Sequence, residues 1–192
     1  SSIFADPARN LDTVKATFSS QEWCGQVFEQ LGVNKNGSTL SINSYFEGES
    51  ATHRFPGPVE IEDALWIHAR GLLSGGPGRG SKKKTLLGSA TQRRLLHQKP
   101  TLFSTQLTWS ASGKLKTPAG EFSIKTVHWT RQNAVRCALH IETSFPHRVI
   151  GWTCSDGERA RLTGSKRLPY WRQSKLSDES LLKEIGLPSP RR

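Results

Sequence analysis

Glu22, Trp23 and Cys24 form the most distinctive local cluster of side chains able to do chemistry. A cysteine attacks as its thiolate and needs a base or cation beside it to lose its proton. On a strand, Glu22 and Cys24 share one face and Trp23 takes the other, so this carboxylate opposes ionisation of the thiol. A base such as His140 or His147 lies far along the chain. Packing is therefore favoured over catalysis, with Trp23 filling core and Gly25 allowing a bulge or close backbone approach. Cys24 remains the sole catalytic candidate, in a Cys-dependent hydrolase. Two other clusters offer charge. Pro146-His147-Arg148 lies on a hairpin rim, where His147 can titrate near neutrality and Arg148 can grip a carboxylate or phosphate. A hydrogen-bonded structural turn is the favoured reading. Tyr170-Trp171-Arg172, after Lys166-Arg167, mixes aromatic and cationic groups that suit single-stranded nucleic acid, glycans or an anionic membrane equally.

Residues 74 to 84, SGGPGRGSKKK, read as a flexible basic loop. Gly75 and Gly80 have the spacing of a phosphate-binding GxxxxGK[ST] loop, but Ser81 and Lys82 stand in reversed order. A mobile surface loop is the favoured reading, with Lys82, Lys83 and Lys84 as anion-binding candidates beside Arg148, Arg159, Arg161 and Arg172. The three cysteines, Cys24, Cys137 and Cys154, form no CxxC pair and no ligand-spaced cluster with the six histidines, so no metal site is expected. If any pair bridges, it is Cys137 with Cys154. Three small buried hydrophobes is the preferred reading.

The elements that must carry these residues are mainly strands. The opening segment, with Leu11, Val14 and Phe18, reads as a strand. Trp23, Val27 and Leu31 recur at helical spacing, yet Gly25 interrupts them and Asn36-Gly37 is a strong hairpin signal with Leu40, Ile42 and Ser44 alternating after it. A strand pair around Asn36-Gly37 accounts for both. Phe55-Pro56-Gly57-Pro58 then makes a rigid connection. Residues 60 to 73 predict the clearest helix, with acids first, His68 and Arg70 near the end, and Ile61, Leu65, Ala69 and Leu72 on one face. From Thr101 a β-meander follows: a strand over 102–109, turns near Ser112-Gly113, Pro118-Ala119-Gly120 and Asn133, and clean alternation of Val135, Cys137, Leu139 and Ile141. Residues 149–154 and a return strand with Ala160 and Leu162 inward flank a turn at Ser155–Glu158. A capped helix starts at Ser177 and ends at Gly186. The expected fold is mainly β, a curved antiparallel meander forming a half-barrel or open barrel with a central helix and a short C-terminal helix.

Composition agrees with one domain over residues 1–192. Apolar residues make up 34% of the chain, enough for a lean core, and no apolar run is long enough to span a membrane. Met is absent even at position 1, so a trimmed front is expected, with a leader and opening strands upstream. The net charge of +11 is lopsided: residues 1–74 carry five basic and nine acidic residues, a net −4, and the remainder carries +15. A basic face for phosphates, anionic lipid or acidic polymer competes evenly with a merely solubilising surface.

The blocks Ser20-Gln21-Glu22-Trp23-Cys24-Gly25-Gln26-Val27-Phe28, Ser44-Tyr45-Phe46-Glu47-Gly48-Glu49 and Ala64-Leu65-Trp66 resemble an uncharacterised family of bacterial envelope-associated proteins, best represented in Bacteroidota. The closing Pro146–Trp152 and Tyr170-Trp171 segments are similar to that family too, so the likeness spans most of the chain. It implies a periplasmic or outer-membrane-associated location and carries no established activity, and the family is not known for so basic a second part. Some members bear the label of Maf septum-formation inhibitors, whose SxSPRR signature grips phosphate at the amino end. Here Ser189-Pro190-Arg191-Arg192 closes the chain, with no strand before it or helix after it, and is read as coincidence. The turn at Pro118–Phe122 and its alternating strands are also similar in architecture to periplasmic half-barrels that handle lipids and lipoproteins. The leading expectation is thus a non-enzymatic envelope protein without cofactor, holding a lipid or other amphiphile on the concave face of its sheet, with Trp23, Phe28, Phe46, Trp66, Trp109 and Trp129 as wall candidates. The second is a basic module binding acidic lipid or, less favoured because no RRM, KH, zinc-finger or helix-turn-helix signature is present, nucleic acid.

Overall fold

The computed structural model describes residues 2–9, 11–23 and 25–188. Five strands open the chain, β1 (Ser2–Asp6), β2 (Asp12–Glu22), β3 (Gly25–Asn34), β4 (Gly37–Ser44) and β5 (Ala51–Pro56), and they pair in sequence order as an antiparallel meander. Alternation drives it: Val27, Leu31, Val33, Leu40 and Ile42 turn inward while their neighbours face solvent. The β3–β4 hairpin closes one residue earlier than Asn36-Gly37 suggests. Asn34 pairs with Gly37, and the Asn34 Oδ1 accepts the Asn36 N–H at 2.9 Å, an Asx turn.

The buried Ser38 hydroxyl anchors the connection out of this sheet, donating to the Gly57 carbonyl (3.0 Å) and accepting the Val59 N–H (2.9 Å). The single helix expected over residues 60–73 is not formed. Glu60–Ile61 is a short strand, β6, followed by a 3-10 turn at Glu62–Ala64 and one helical turn, α1 (Leu65–His68). A single apolar stripe cannot serve here, because Ile61 and Ala64 are buried in one core and Leu65 and Ala69 in another.

The remaining strands are β7 (Ser81–Leu87), β8 (Leu102–Trp109), β9 (Gly113–Thr117), β10 (Gly120–Thr130), β11 (Arg136–Glu142), β12 (Val149–Cys154) and β13 (Arg159–Arg161). With β6 they form a second sheet in the order β13-β12-β11-β10-β8-β7-β6, antiparallel except for the β6–β7 pair. Along one edge the long β10 pairs first with β9 and then with β8, with β11 on its other edge, and the sheet curls into a half-barrel. The fold is therefore the β-rich, half-barrel class that the alternation predicts. Lys82, Lys83 and Lys84 lie on β7, held by β8, so the basic loop expected over 74–84 ends at Gly80. Between β7 and β8 stands α2 (Ala90–Leu96), whose Ser89 cap and Ala90 N–H are both tied to the Asp63 carboxylate at 3.0 Å. The C-terminal helix is shorter than expected. A 3-10 turn at Leu176–Glu179, capped by Asp178 on the Lys175 N–H, precedes α3 (Ser180–Glu184), and Gly186 ends it.

Two cores result. The first joins the inward face of the opening sheet to Val59, Ile61, Ala64, Leu87 and Ala90; the second fills the half-barrel with Leu65, Leu86, Leu107, Val127, Trp129, Leu139 and Ile141.

Candidate functional site

The concave face of the second sheet is not filled throughout. A cavity of about 170 Å3 lies between it, α1 and the loop after α1. Its floor is apolar: Leu65, Ala69, Leu107, Val127 and Trp109. Leu72, Leu73 and Ser74 close one side, and Asp12, Glu60, His68, Lys82 and Lys84 form the polar rim. The loop is shaped by glycine. A Cβ at Gly71, where φ is +60°, would stand 1.7 Å from the Gly76 carbonyl oxygen, and one at Gly78 would stand 2.8 Å from the Trp109 ring.

Glu60 organises the rim. One carboxylate oxygen lies 2.5 Å from His68 Nδ1 and the other takes the Lys84 ammonium. The parallel β6–β7 register, which sets Glu60 against Leu86, brings Lys84 within reach. The second His68 nitrogen, Nε2, lies 2.7 Å from the Leu11 carbonyl. Both ring nitrogens thus face acceptors, which an imidazole satisfies only by carrying two protons. Burial pulls His68 down, but Glu60 and the Leu11 carbonyl outweigh it and raise its pKa above 6.5. Burial likewise favours a neutral Glu60, yet His68 and Lys84 hold it at about 2. With His68 carrying both protons, the triad has one net positive charge. Lys82 extends the rim on the same strand face, with no ion-pair partner among the described residues. Such a site can hold an anionic head group above an apolar floor. No thiol lines it, and the Glu60 carboxylate is already ionised and paired.

A second cavity, about 390 Å3, lies between the opening sheet and α2. Val27, Ile42 and Ala51 give it apolar wall, and three of its charged or titratable lining residues are paired with acids. Buried Arg93 pairs with buried Glu29, Arg94 reaches Glu22 while its guanidinium covers the Phe46 ring, and His97 meets Glu49 at 2.6 Å. Burial would raise Glu49, and the hydrogen bonds from His97 and Ser44 lower it instead.

The six aromatic candidates do not share one wall. Trp109 lines the cavity of the second sheet. Trp66 packs edge-on between Trp129 and Trp152, with centroids 5.8 Å from each, inside the half-barrel core. Phe46 sits beneath Arg94 and against His97. Trp23 is fully exposed at the β2–β3 turn and Phe28 is on the outer face of its sheet. Of the cationic candidates, Lys82 and Lys84 face the cavity, while Lys83, Arg159 and Arg161 point outward from the second sheet and are exposed. Arg172 lies exposed in a 3-10 turn. Arg148 is not free to take an external anion: its guanidinium spans Glu142 with two bonds of 2.7 and 2.8 Å. That contact comes first among the causes that lower Glu142 and raise Arg148. His147 is buried and Arg70 ties down the carbonyls of Pro146 and His147, so the corner is a structural turn. Cys24 and the Ser189–Arg192 motif lie outside the described residues.

Cys137 and Cys154, cross-strand neighbours on β11 and β12, form a disulfide, whereas the sequence alone favours three separate buried thiols. Asp156 and Glu158 approach Cys154 with ligand-type atoms all within 4.8 Å. The bridged sulfur offers no thiolate, and Glu158 already holds Arg131 at 2.7 Å and the Trp152 indole N–H at 2.9 Å. Glu60 and His68 carry no site signal in the sequence, where their pattern matches the two ends of a helix. Comparison of the chain with protein-family models, curated proteins and solved structures finds no match.

Proposed function

We propose that this protein is a non-enzymatic component of a bacterial cell envelope that binds an amphiphile with an anionic head. The observation that carries the proposal is the cavity on the concave sheet face, where an apolar floor of Leu107, Val127 and Trp109 meets a rim holding His68, Lys82 and Lys84. A carboxylate or phosphate head pairs with Lys82 and the cationic side of the triad, and a short apolar segment covers the floor. The Cys137–Cys154 bridge is in keeping with an oxidising compartment, and the resemblance to envelope-associated proteins points the same way.

Titration of octanoate into the protein tests the site calorimetrically. Binding at 1:1 is expected, weakened about tenfold or more by Lys82→Glu, since a reversed charge replaces an attraction. Ser74→Trp, a change on the exposed loop, should block the mouth without disturbing the core. Octanoate that fails to bind, or binds Ser74→Trp and Lys82→Glu as it binds the parent, overturns the assignment. Fractionation of cells producing the protein from its native reading frame tests the compartment, and a purely cytoplasmic product would refute the envelope location.

A further inference from the structure

The convex face of the second sheet carries a different feature, independent of the cavity. Side chains of directly paired residues share a face. One register row crosses the sheet as Arg159, Thr153, Ala138, His128, Thr108 and Ser81. The adjacent row contains Arg161, Gly151, His140 and Thr126. Arg136, two residues from Ala138, and Lys83, two residues from Ser81, extend the same face. From β13 to β7 the row spans five strand spacings, about 24 Å at ~4.8 Å each.

Lys83, His128, Arg136, Arg159 and Arg161 are exposed, and His140 is half-buried. None of these six makes a side-chain ion pair among the described residues, and no carboxylate stands in either row. On the strands that carry these cations and the turn between β12 and β13, Glu142 is engaged by Arg148 and Glu158 by Arg131 and Trp152. Burial lowers the His140 pKa, and the charges of His128 and Arg161 lower it further, with only the neutral Thr126 hydroxyl (2.9 Å) as a partner. The four cations Lys83, Arg136, Arg159 and Arg161 thus share this face without an internal counter-charge, with His128 and His140 between them.

The neutral positions around them narrow the class of polymer. Ser81, Thr85, Ser104, Gln106, Thr108 and Thr153 offer hydroxyl and amide groups, and all are exposed. The rows contain no Phe, Tyr or Trp on which a base could stack and no large apolar side chain to enter a bilayer. Spaced cations with hydroxyl partners between them match a chain of sugars that bears acidic groups.

We propose that the convex face formed by Lys83, His128, Arg136, His140, Arg159 and Arg161 binds an acidic polysaccharide. Multiple charge contacts make the association steeply salt-dependent, because each releases counterions from the polymer. Fluorescence anisotropy with a fluorescein-labelled heparin octasaccharide as the probe tests the surface on the full chain. The expected result is saturable binding that weakens at least tenfold between 50 and 200 mM salt. Arg159→Glu/Arg161→Glu should weaken it at least tenfold at 50 mM salt while octanoate binding stays unchanged. Lys82→Glu, which faces the cavity, should weaken octanoate binding at least tenfold and heparin binding no more than threefold. Octasaccharide affinity unchanged in the Arg159/Arg161 variant overturns the proposal. So does tighter binding to a single-stranded oligothymidylate of equal charge, or to vesicles with 30% phosphatidylglycerol, each of which assigns the face to another class of partner.

Discussion

Glu60 and His68 show how strongly two half-hidden side chains can be tuned by each other. The depressed Glu60 carboxyl contributes stability that is complete above the ordinary carboxylate pKa of 4.5 and is lost as the pH falls through about 2. The raised His68 works in the opposite sense: its contribution is complete below 6.5 and is lost as the pH rises through its elevated value. Together they favour the folded state most between about pH 4.5 and 6.5. Urea midpoints measured from pH 5 to 9 should therefore fall on the alkaline side. His68→Gln should remove the part of that fall which this imidazole causes, and an identical slope in the variant would contradict the charged state assigned to it. Glu62 lies deeper still. It is 2% exposed and takes the Trp129 indole N–H at 3.0 Å and Arg131 Nε at 2.7 Å. Burial opposes the Arg131 charge, while Glu158 and Glu62 outweigh it and raise its pKa. This pair ties the segment before α1 to the far end of β10, and it illustrates why a buried charge persists only when its partners are complete.

At the scale of elements, the Cys137–Cys154 bridge staples β11 to β12 across a separation of 17 residues. A loop of that size corresponds to about 3 kcal/mol of restricted unfolded-chain entropy. In a chain of this length that predicts a fall in Tm of roughly 6–12 °C for Cys137→Ser/Cys154→Ser. Calorimetry with and without reductant provides the measurement, and a parent protein whose Tm ignores reductant would show that the bridge adds nothing. The hairpins around this staple are legible in the sequence because alternation and turn chemistry are local. Val135 to Ile141 alternate without interruption, and Ser155-Asp156-Gly157 forms the turn between β12 and β13. The cavity rim is not legible in that way. Glu60 meets Lys84 only because β6 lies parallel to β7, and His68 meets Leu11 across 57 positions of chain. No periodicity or spacing encodes either contact. The acid-first pattern of residues 60–73 imitates a helix, but those acids bind His68, Lys84, Trp129, Arg131 and the cap of α2.

The whole molecule depends on residues that belong to both cores. Adjacent strand residues point to opposite faces, and on β7 this places Leu86 in the half-barrel core and Leu87 in the core of the opening sheet, both fully buried. Ala64 and Leu65 repeat the arrangement just before α1. A strand edge shared in this manner gives neither sheet an independent interior on that side, so opening one core exposes side chains of the same backbone segment that seals the other. Truncating a fully buried leucine costs about 2–5 kcal/mol. Leu86→Ala and Leu87→Ala, although they empty different cores, are therefore expected to lower a single common unfolding transition by similar amounts. Tryptophan fluorescence and far-ultraviolet circular dichroism can follow that transition separately. Trp66, Trp129 and Trp152 report the half-barrel core, whereas circular dichroism sums over both sheets. Coincident urea curves for the parent and both variants establish one cooperative unit. If Leu87→Ala instead splits the dichroism curve and leaves the fluorescence curve in place, the opening sheet melts alone and the shared strand does not couple the cores. Coupling matters for function because the cavity rim draws Leu11 from the β1–β2 connection and Asp12 from β2 of the opening sheet, and its floor from the second. An amphiphile bound there should raise the one common transition, since only the assembled pair of sheets presents both parts of its site.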